Sequence, residues 1–377
     1  MKGETEIVKV AFLFGTMSRG GAERMISLLA KQFVEQRDEV YIVTLDNSES
    51  GYELDRKVHQ VKLNVANKSD NSLAAIKRNV RTLKALASFL KETKIDVAVS
   101  FSKRIGCYLL LACPIKRTYK VIVSERANPR FEKNGRLEKA LYKYILPKVD
   151  GFIFQTESVS KLFPARLQTV GCVIPNGVFE DVLPKALPYS RHDQNKIVAV
   201  GRLTWQKGYD VLLAAFSDFI QKKKDSRHVL HIFGKGPLED SLKKQCNELK
   251  IDGKVVFHGS VPDLPQQISD AGIFVMASRF EGMPNALMEA MACGIPCISA
   301  NCEFGPAELI ENGVNGLLFN VDDGQALCNS LLQLTDNVGL AERISTNALS
   351  IRESHSGIKV ASMYREYIEL VNARKSE

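Results

Sequence analysis

Two doubly wound α/β domains, each built on a parallel sheet, are the fold class this sequence predicts. Three observations lead there. Short β-branched runs alternate with longer stretches of helical period, the signature of βαβ units. The rhythm breaks once, near residue 185, at a stretch rich in proline and polar residues. It then restarts and runs to a long helical pattern near the C-terminus, with no shorter repeat and no low-complexity tract.

In the front half the strand-like runs are Lys9–Gly15, Val40–Leu45, Val58–Leu63, Val97–Phe101, Val121–Glu125 and Gly151–Thr156. Helical spacing marks Ala22–Glu35, Ser72–Glu92, Leu137–Leu146 and Ser158–Leu167 between most of them. Cys172-Val-Ile-Pro-Asn-Gly-Val, the Pro-containing run Leu183–Ser190 and the polar Arg191–Asn195 read as a linker. The back half restarts at Ile197-Val-Ala-Val-Gly. It continues through Val229–Gly234, Val255–Gly259, Ile273–Ser278, Cys297–Ala300 and Gly316–Phe319, and closes with a helix over Gly357–Ala373. The division expected is 1–185, 186–355 and a final helix 356–377. Sheets of this kind bind ligands outside the carboxyl ends of their strands, so a ligand is expected in a cleft between two facing sheets.

Composition narrows the class. The chain has 377 residues, 45% of them hydrophobic and 25% charged, which excludes disordered, collagenous and disulfide-scaffold proteins. The longest clean apolar run, Cys107–Cys113, falls far short of the ~18–20 residues that cross a membrane. The opening Met-Lys-Gly-Glu-Thr-Glu shows no secretory apolar core. Eight scattered cysteines include no Cys-x2-Cys pair, so free thiols in a reducing, cytoplasmic compartment and no structural metal are expected. The net charge of +8 is uneven: residues 1–185 hold 31 Lys+Arg and 20 Asp+Glu, the remainder 20 and 23. Nothing beyond this basicity suggests a nucleic-acid partner, since no aromatic-basic platform accompanies it.

Three segments carry chemistry. The first strand runs into Gly15-Thr-Met-Ser-Arg-Gly20-Gly21-Ala-Glu-Arg24, a glycine pair at a helix start where backbone N–H groups suit an anion. It lacks the Gly-x-Gly-x-x-Gly dinucleotide pattern. The second domain opens with Gly201-Arg202-Leu-Thr-Trp-Gln-Lys207-Gly, two cations just past a strand that suit a diphosphate. The third and most specific is Ser278-Arg-Phe-Glu281-Gly282-Met283-Pro284-Asn285-Ala286-Leu-Met-Glu289. It sets one carboxylate in a loop and a second on the following helix, beside that helix's N-terminal amides. Carboxylates suit sugar and ribose hydroxyls because each accepts several hydrogen bonds. Phe233-Gly-Lys-Gly-Pro and Glu303-Phe-Gly-Pro add further turns at strand ends.

These residues resemble glycosyltransferase family 4, the retaining, sugar-nucleotide-dependent enzymes of the GT-B fold, including those of bacterial surface-polysaccharide and lipid-linked glycan assembly. The resemblance spans nearly the whole chain and is strongest at Glu281-x7-Glu289. It implies two Rossmann-like domains facing across a cleft, with the C-terminal helix crossing back to the first. It implies that Arg202 and Lys207 hold the donor diphosphate, Glu281 contacts the donor sugar and Glu289 binds the ribose. Amides over Gly282, Met283, Asn285 and Ala286, with Pro284 among them, assist the sugar or phosphate. Gly20 and Gly21 bring the N-terminal loop to the donor. Glu281, Arg202 and Lys207 are the implied catalytic set, without a metal or other cofactor, the nucleotide sugar being a co-substrate. Arg24, Glu125 and Arg126 are implied at the acceptor side. Many relatives carry a His where Val123-Ser-Glu125-Arg126 places an arginine. Arginine cannot serve as a base, and a front-face retaining reaction does not require one.

The expected reaction moves a hexose or N-acetylhexosamine, from a UDP-linked donor, to a saccharide or lipid-diphosphate-linked acceptor. The basic first half fits an anionic acceptor at the inner face of the plasma membrane. Over Ser72–Lys94, Leu73, Ile76, Val80, Leu83, Leu86 and Leu90 form a stripe expected to pack on the sheet. Lys77, Arg78, Arg81, Lys84 and Lys91 lie between them and face lipid, with Arg136, Lys139, Tyr142, Lys143 and Tyr144 nearby in sequence. A catalytically inactive scaffold subunit of a partner transferase is the principal rival, and a sugar-nucleotide epimerase a second. Retention of Arg202, Lys207, Glu281 and Glu289 argues against the scaffold.

Overall fold

A computed structural model describes residues 7–17, 21–65, 72–113, 117–125, 135–178, 180, 183–224 and 226–374. By internal contacts the chain divides into two units, residues 1–177 with 357–377, and residues 178–356. The first unit contains β1 (Lys9–Phe14), α1 (Gly21–Glu35), β2 (Glu39–Thr44), β3 (His59–Lys62), α2 (Ser72–Thr93), β4 (Val97–Ser100), α3 (Lys103–Ala112), β5 (Lys120–Ser124), α4 (Arg136–Tyr144), β6 (Gly151–Phe154), α5 (Glu157–Ser160), α6 (Ala165–Val170) and β7 (Gly171–Val173). The second contains β8 (Asp193–Val200), α7 (Tyr209–Lys222), β9 (Val229–Phe233), α8 (Glu239–Glu248), β10 (Val255–Gly259), α9 (Leu264–Ile268), β11 (Ala271–Met276), α10 (Asn285–Ala292), β12 (Cys297–Ala300), α11 (Pro306–Leu309), β13 (Leu317–Phe319), α12 (Gly324–Asp336), α13 (Val338–Ala348) and α14 (Ile351–Ser354). The closing helix, α15 (Gly357–Ala373), belongs to the first.

Both sheets are parallel throughout. Their orders are β3-β2-β1-β4-β5-β6-β7 and β10-β9-β8-β11-β12-β13. Each therefore reverses direction once, between β1 and β4 in the first and between β8 and β11 in the second. Helices cover both faces, so the central strands are apolar on both sides. Val97–Ser100, Lys120–Ser124 and Ala271–Met276 are buried at every position. The edge strand β3 is short and mostly exposed, His59-Gln-Val-Lys, which discourages pairing with another chain. Side chains such as Phe12, Phe33, Phe152, Phe216 and Phe274 are fully buried, each contributing ~1.5–3 kcal/mol of transfer free energy.

Helix α15 completes the first unit. The Tyr367 hydroxyl accepts from the Phe152 amide at 2.9 Å, and the Tyr364 and Ser124 hydroxyls are 3.0 Å apart. Arg365 pairs with Asp38, which also accepts from the Val8 amide at 3.1 Å. The second unit begins at Val178, whose amide donates to the His355 carbonyl at 2.7 Å. The Arg352 guanidinium also donates to the Pro184 carbonyl, so the segment read as a linker is largely bound into this unit.

Several elements differ from the sequence expectation. The apolar run around Cys107 is helix α3, because a continuous apolar stretch carries no period to distinguish helix from strand. The stretch around Cys172 holds a three-residue strand, β7, paired with β6 from Phe152 opposite Gly171. Ser158–Leu167 is two short helices, since Pro164 lacks the N–H that would continue the first. Polar Asp193–Asn195 is the exposed end of β8 rather than linker. The α2 stripe is split. Leu86 and Leu90 are buried and Leu83 half-buried, but Ile76 is 59% and Val80 46% exposed. The reason is the neighbour: α3 meets α2 at Asn79, which accepts from Arg104 and Tyr108 at 3.3 and 3.0 Å. That face runs through Leu83, Leu86 and Leu90, and Ile76 and Val80 fall to one side. The side chain of Leu73 lies outside the described residues. All eight cysteines are free, six of them buried. No described helix is long and apolar enough to cross a membrane.

Candidate active site

In an open parallel sheet the crevice lies where strand order reverses. In the second unit that places the loops after β8 and β11 side by side, and these are the two loops that carry the candidate cations and carboxylates. The β8 loop runs Gly201-Arg-Leu-Thr-Trp-Gln-Lys-Gly208. Gly208 has φ +62°, and a Cβ there would stand 2.0 Å from the Ala277 carbonyl oxygen of the β11 loop. Only glycine allows this approach. At the other end of the loop Gly201, φ +156°, gives the Lys207 stem its bed, since a Cβ would meet Lys207 Cε at 3.0 Å.

Lys207 Nζ thereby sits 2.6 Å from Glu281 Oε1, with the two side chains 18% and 9% exposed. The Tyr209 hydroxyl donates to the Gly201 carbonyl at 3.1 Å. Burial, with the Glu281 charge added, raises its pKa and keeps the phenol protonated. The Ser278 hydroxyl is fully buried and has no hydrogen-bond partner among the described residues; it lines a small recess with Lys207, Tyr209 and Ala277. Arg202 is exposed, and its guanidinium makes no hydrogen bond or ion pair with the described residues.

Downstream, Pro284 precedes α10, a helix of strong formers, Asn285-Ala-Leu-Met-Glu-Ala-Met-Ala. Leu287, Met288, Ala290, Met291 and Ala292 are buried in the core. Asn285, Ala286 and Glu289 are half-buried on the opposite side, one turn apart. Glu289 thus stands on the same face as the helix's first residues, where amides reach beyond the helical ladder. Met283 is buried and Gly282 half-buried in the turn between Glu281 and the helix.

Arg279 is the residue that sequence reasoning passed over. Its amide donates to the Gln206 carbonyl at 2.7 Å, and Gln206 Nε2 donates to the Phe280 carbonyl at 2.9 Å. Its guanidinium donates to the Trp205 carbonyl at 2.6 Å, forks onto Asp210 at 3.1 and 2.7 Å, and pairs with Asp322 at 2.8 Å. It also lies 4.7 Å from the Trp205 ring centroid. Burial alone would raise the Asp210 pKa, but the hydrogen bonds and charge of Arg279 bring it below its ordinary value. Asp210 itself is 69 residues away in sequence, so no local pattern announced the contact.

In the first unit Gly20 and Arg126 lie outside the described residues. Gly21 opens α1, and Arg24 is half-buried one turn in. Glu125, just past β5, is 5% exposed and pairs at 2.9 Å with Lys103 at the start of α3. Lys103 Nζ lies 5.2 and 5.6 Å from the ring centroids of Tyr142 and Phe163. Lys103 was also missed, because it precedes an apolar run that gave no helical signal.

Comparison with known proteins agrees with this architecture. A family model described as Glycosyltransferase Family 4 matches residues 19–181, and one described as Glycosyl transferases group 1 matches residues 188–350. An uncharacterized glycosyltransferase of Haemophilus influenzae is 26% identical over 358 residues, 94% of this chain and 98% of that protein. A Campylobacter jejuni α-1,4-N-acetyl-D-galactosaminyltransferase, named for its GalNAc-GalNAc-diNAcBac-PP-undecaprenol acceptor, is 25% identical over 97% of this chain and 98% of its own. The structure of Anabaena HepE in complex with UDP superposes with a TM-score of 0.76 at 17% identity, covering 96% of this chain and all of that one. Two parallel-sheet units, each matched by its half of the same architecture, make the chain a glycosyltransferase of the GT-B type. Within that type its front half is similar to glycosyltransferase family 4.

Proposed function

We propose that the chain is a retaining glycosyltransferase that moves a hexose or N-acetylhexosamine from a UDP-linked donor to a saccharide carried on a lipid diphosphate. The carrying observation is the Lys207–Glu281 pair, 2.6 Å apart at the reversal point of the second sheet. A cation and a carboxylate side by side suit a ligand in which an anionic diphosphate joins a hydroxyl-bearing sugar. Lys207 and Arg202 take the diphosphate. Glu281 accepts from a sugar hydroxyl, Glu289 from the ribose, and the amides over Gly282, Met283, Asn285 and Ala286 face anionic oxygens beside Pro284. UDP as the nucleotide is supported by HepE, which shares the fold and is seen with UDP.

In this reading the acceptor hydroxyl attacks the anomeric carbon on the face from which the nucleotide departs. The new C–O bond forms as the bond to the diphosphate breaks, and the acceptor proton passes to the leaving phosphate oxygen. Charge grows on that diphosphate, and donors fixed in advance stabilise it; one such donor is typically worth ~3–4 kcal/mol. Side-chain cations meet that charge, so the reaction runs without a metal.

The acceptor reading rests on charge and on surface. With the division at residues 177 and 357, the first unit holds 34 Lys+Arg against 21 Asp+Glu and the second 17 against 22. Exposed Ile76 and Val80 stand among Lys77, Arg81 and Lys84 on α2; exposed Leu137 and Tyr144 stand among Arg136, Lys139 and Lys143 on α4. Apolar groups interleaved with cations fit an anionic leaflet. The Campylobacter relative is named for an acceptor on undecaprenyl diphosphate. The protein then works as a peripheral enzyme on the cytoplasmic face of the membrane, with Arg24, Glu125 and Arg126 on the acceptor side. Screening nucleotide sugars by thermal shift, then assaying transfer to an undecaprenyl-diphosphate saccharide, tests the reading. Lys207→Ala and Glu289→Ala each lower turnover at least tenfold without unfolding the protein; full turnover in both variants would end the assignment.

A further inference from the structure

We infer that Arg279 is a positioning residue of the donor site, holding Lys207 and Glu281 in register while a nucleoside diphosphate displaces their ion pair. The inference rests on the donor-site reading above and deepens it. Arg279 lies two residues before Glu281, and Trp205 lies two residues before Lys207. The clasp therefore joins the two loops beside the pair they present. It uses one guanidinium to reach three segments: the Trp205 carbonyl, the Asp210 carboxylate at the start of α7 and the Asp322 carboxylate after β13. Backbone bonds from Arg279 to Gln206 and from Gln206 to Phe280 close the same seam.

The need for such a clasp follows from the chemistry of Lys207. An ammonium is a compact point charge that turns readily from one anion to another. When a diphosphate arrives, the Lys207–Glu281 pair is shared with it or given up, and the two loops lose that ion pair. None of the partners of Arg279 belongs to the set proposed above to hold the donor, so its contacts persist through that exchange. Lysine at 279 keeps the charge but cannot fork onto Asp210 while also reaching Asp322 and the Trp205 carbonyl. An uncharged residue leaves Asp210 and Asp322 without their shared cation, which pushes the start of α7 away from the segment after β13 and removes the tie between the β8 and β11 loops.

Trp205 is the sole tryptophan of the chain, 59% exposed, with its ring against this guanidinium. Its emission reports on the clasp directly. The test is titration of wild type, Arg279→Lys and Arg279→Met with UDP and with GDP, by Trp205 emission and by calorimetry, alongside Tm. The wild type is expected to bind UDP with a change in emission. R279M weakens that affinity at least tenfold, R279K recovers part of it, and a triple variant R279M with D210N and D322N stays weak. R279M or R279K binding within twofold of wild type overturns the proposal and leaves the donor site standing. Full recovery in the triple variant also overturns it, since cancelling charge would then suffice. A wild type that binds neither nucleotide fails the donor-site reading, and this inference falls with it.

Discussion

The two units share one strand order yet finish their reversal points differently. After β8 and β11 the loops are pressed together through Gly208 and tied by Arg279, leaving Lys207 and Glu289 half-buried beside the buried Glu281. After β1 no such glycine contact closes the backbone: a Cβ at Gly15 would meet nothing within 4 Å. After β4 and β5 the charged groups are Lys103 and Glu125, buried against each other and against aromatic rings. One unit fixes its backbone and keeps the cation of its pair half-buried; the other buries both charges in its sheet end. A backbone locked by glycine contacts suits a ligand part that never changes, such as a diphosphate. A less constrained end allows variation in what is received.

The largest effect that would break this contrast concerns the buried pair. Lys103→Met removes the cation beside the buried Glu125 carboxylate, and loss of one partner of a buried ion pair typically costs ~3–5 kcal/mol. Denaturant unfolding should show that loss, and Lys103→Met with Glu125→Gln together should lose less than Lys103→Met alone. Equal losses would mean the pair is not what holds this end. Next comes the backbone. Gly208→Ala meets a carbonyl at 2.0 Å and a positive φ, so a loss of ~2–3 kcal/mol is expected from overpacking and strain. Gly15→Ala, at the corresponding loop of the first unit, stays within ~0.5 kcal/mol. Similar Tm shifts for both would erase the distinction between the two loops.

The smallest effect lies at the surface. Charge reversal at Lys77, Arg81 or Lys84 on α2 weakens binding to vesicles containing anionic lipid by ~1 kcal/mol per lost cation. Neutral vesicles and high salt abolish the difference, because the interaction is screened. Flotation that is unchanged by these reversals, or absent in the wild type, would remove the membrane from the acceptor reading.

Much of this was legible in the sequence for physical reasons. Parallel strands buried on both faces read as apolar runs, and helices between them show a 3.6-residue period, so most of both sheets could be read in order. The Lys207 and Glu281 loops were legible because glycine and charge cluster at strand ends. What escaped depends on distant partners or lacks a period. Helix α3 is apolar all round; β7 is three residues long. Arg279 sits within the most informative segment, but its meaning comes from Asp210 and Asp322, which only the fold brings near. Ile76 and Val80 have the spacing of buried residues, and only the position of α3 shows that the core does not reach them.

The contribution of α15 to the first unit has a bearing on how the chain matures. Tyr364, Arg365 and Tyr367 satisfy Ser124, Asp38 and the Phe152 amide, groups made early in synthesis. As the chain leaves the ribosome the second unit, residues 178–356, is whole before those partners emerge. The first unit to be translated is thus the last to be completed. Until then its sheet waits with buried groups unmatched, a target for chaperones and proteases, and truncation within Gly357–Ala373 injures the unit formed by residues far earlier in the sequence.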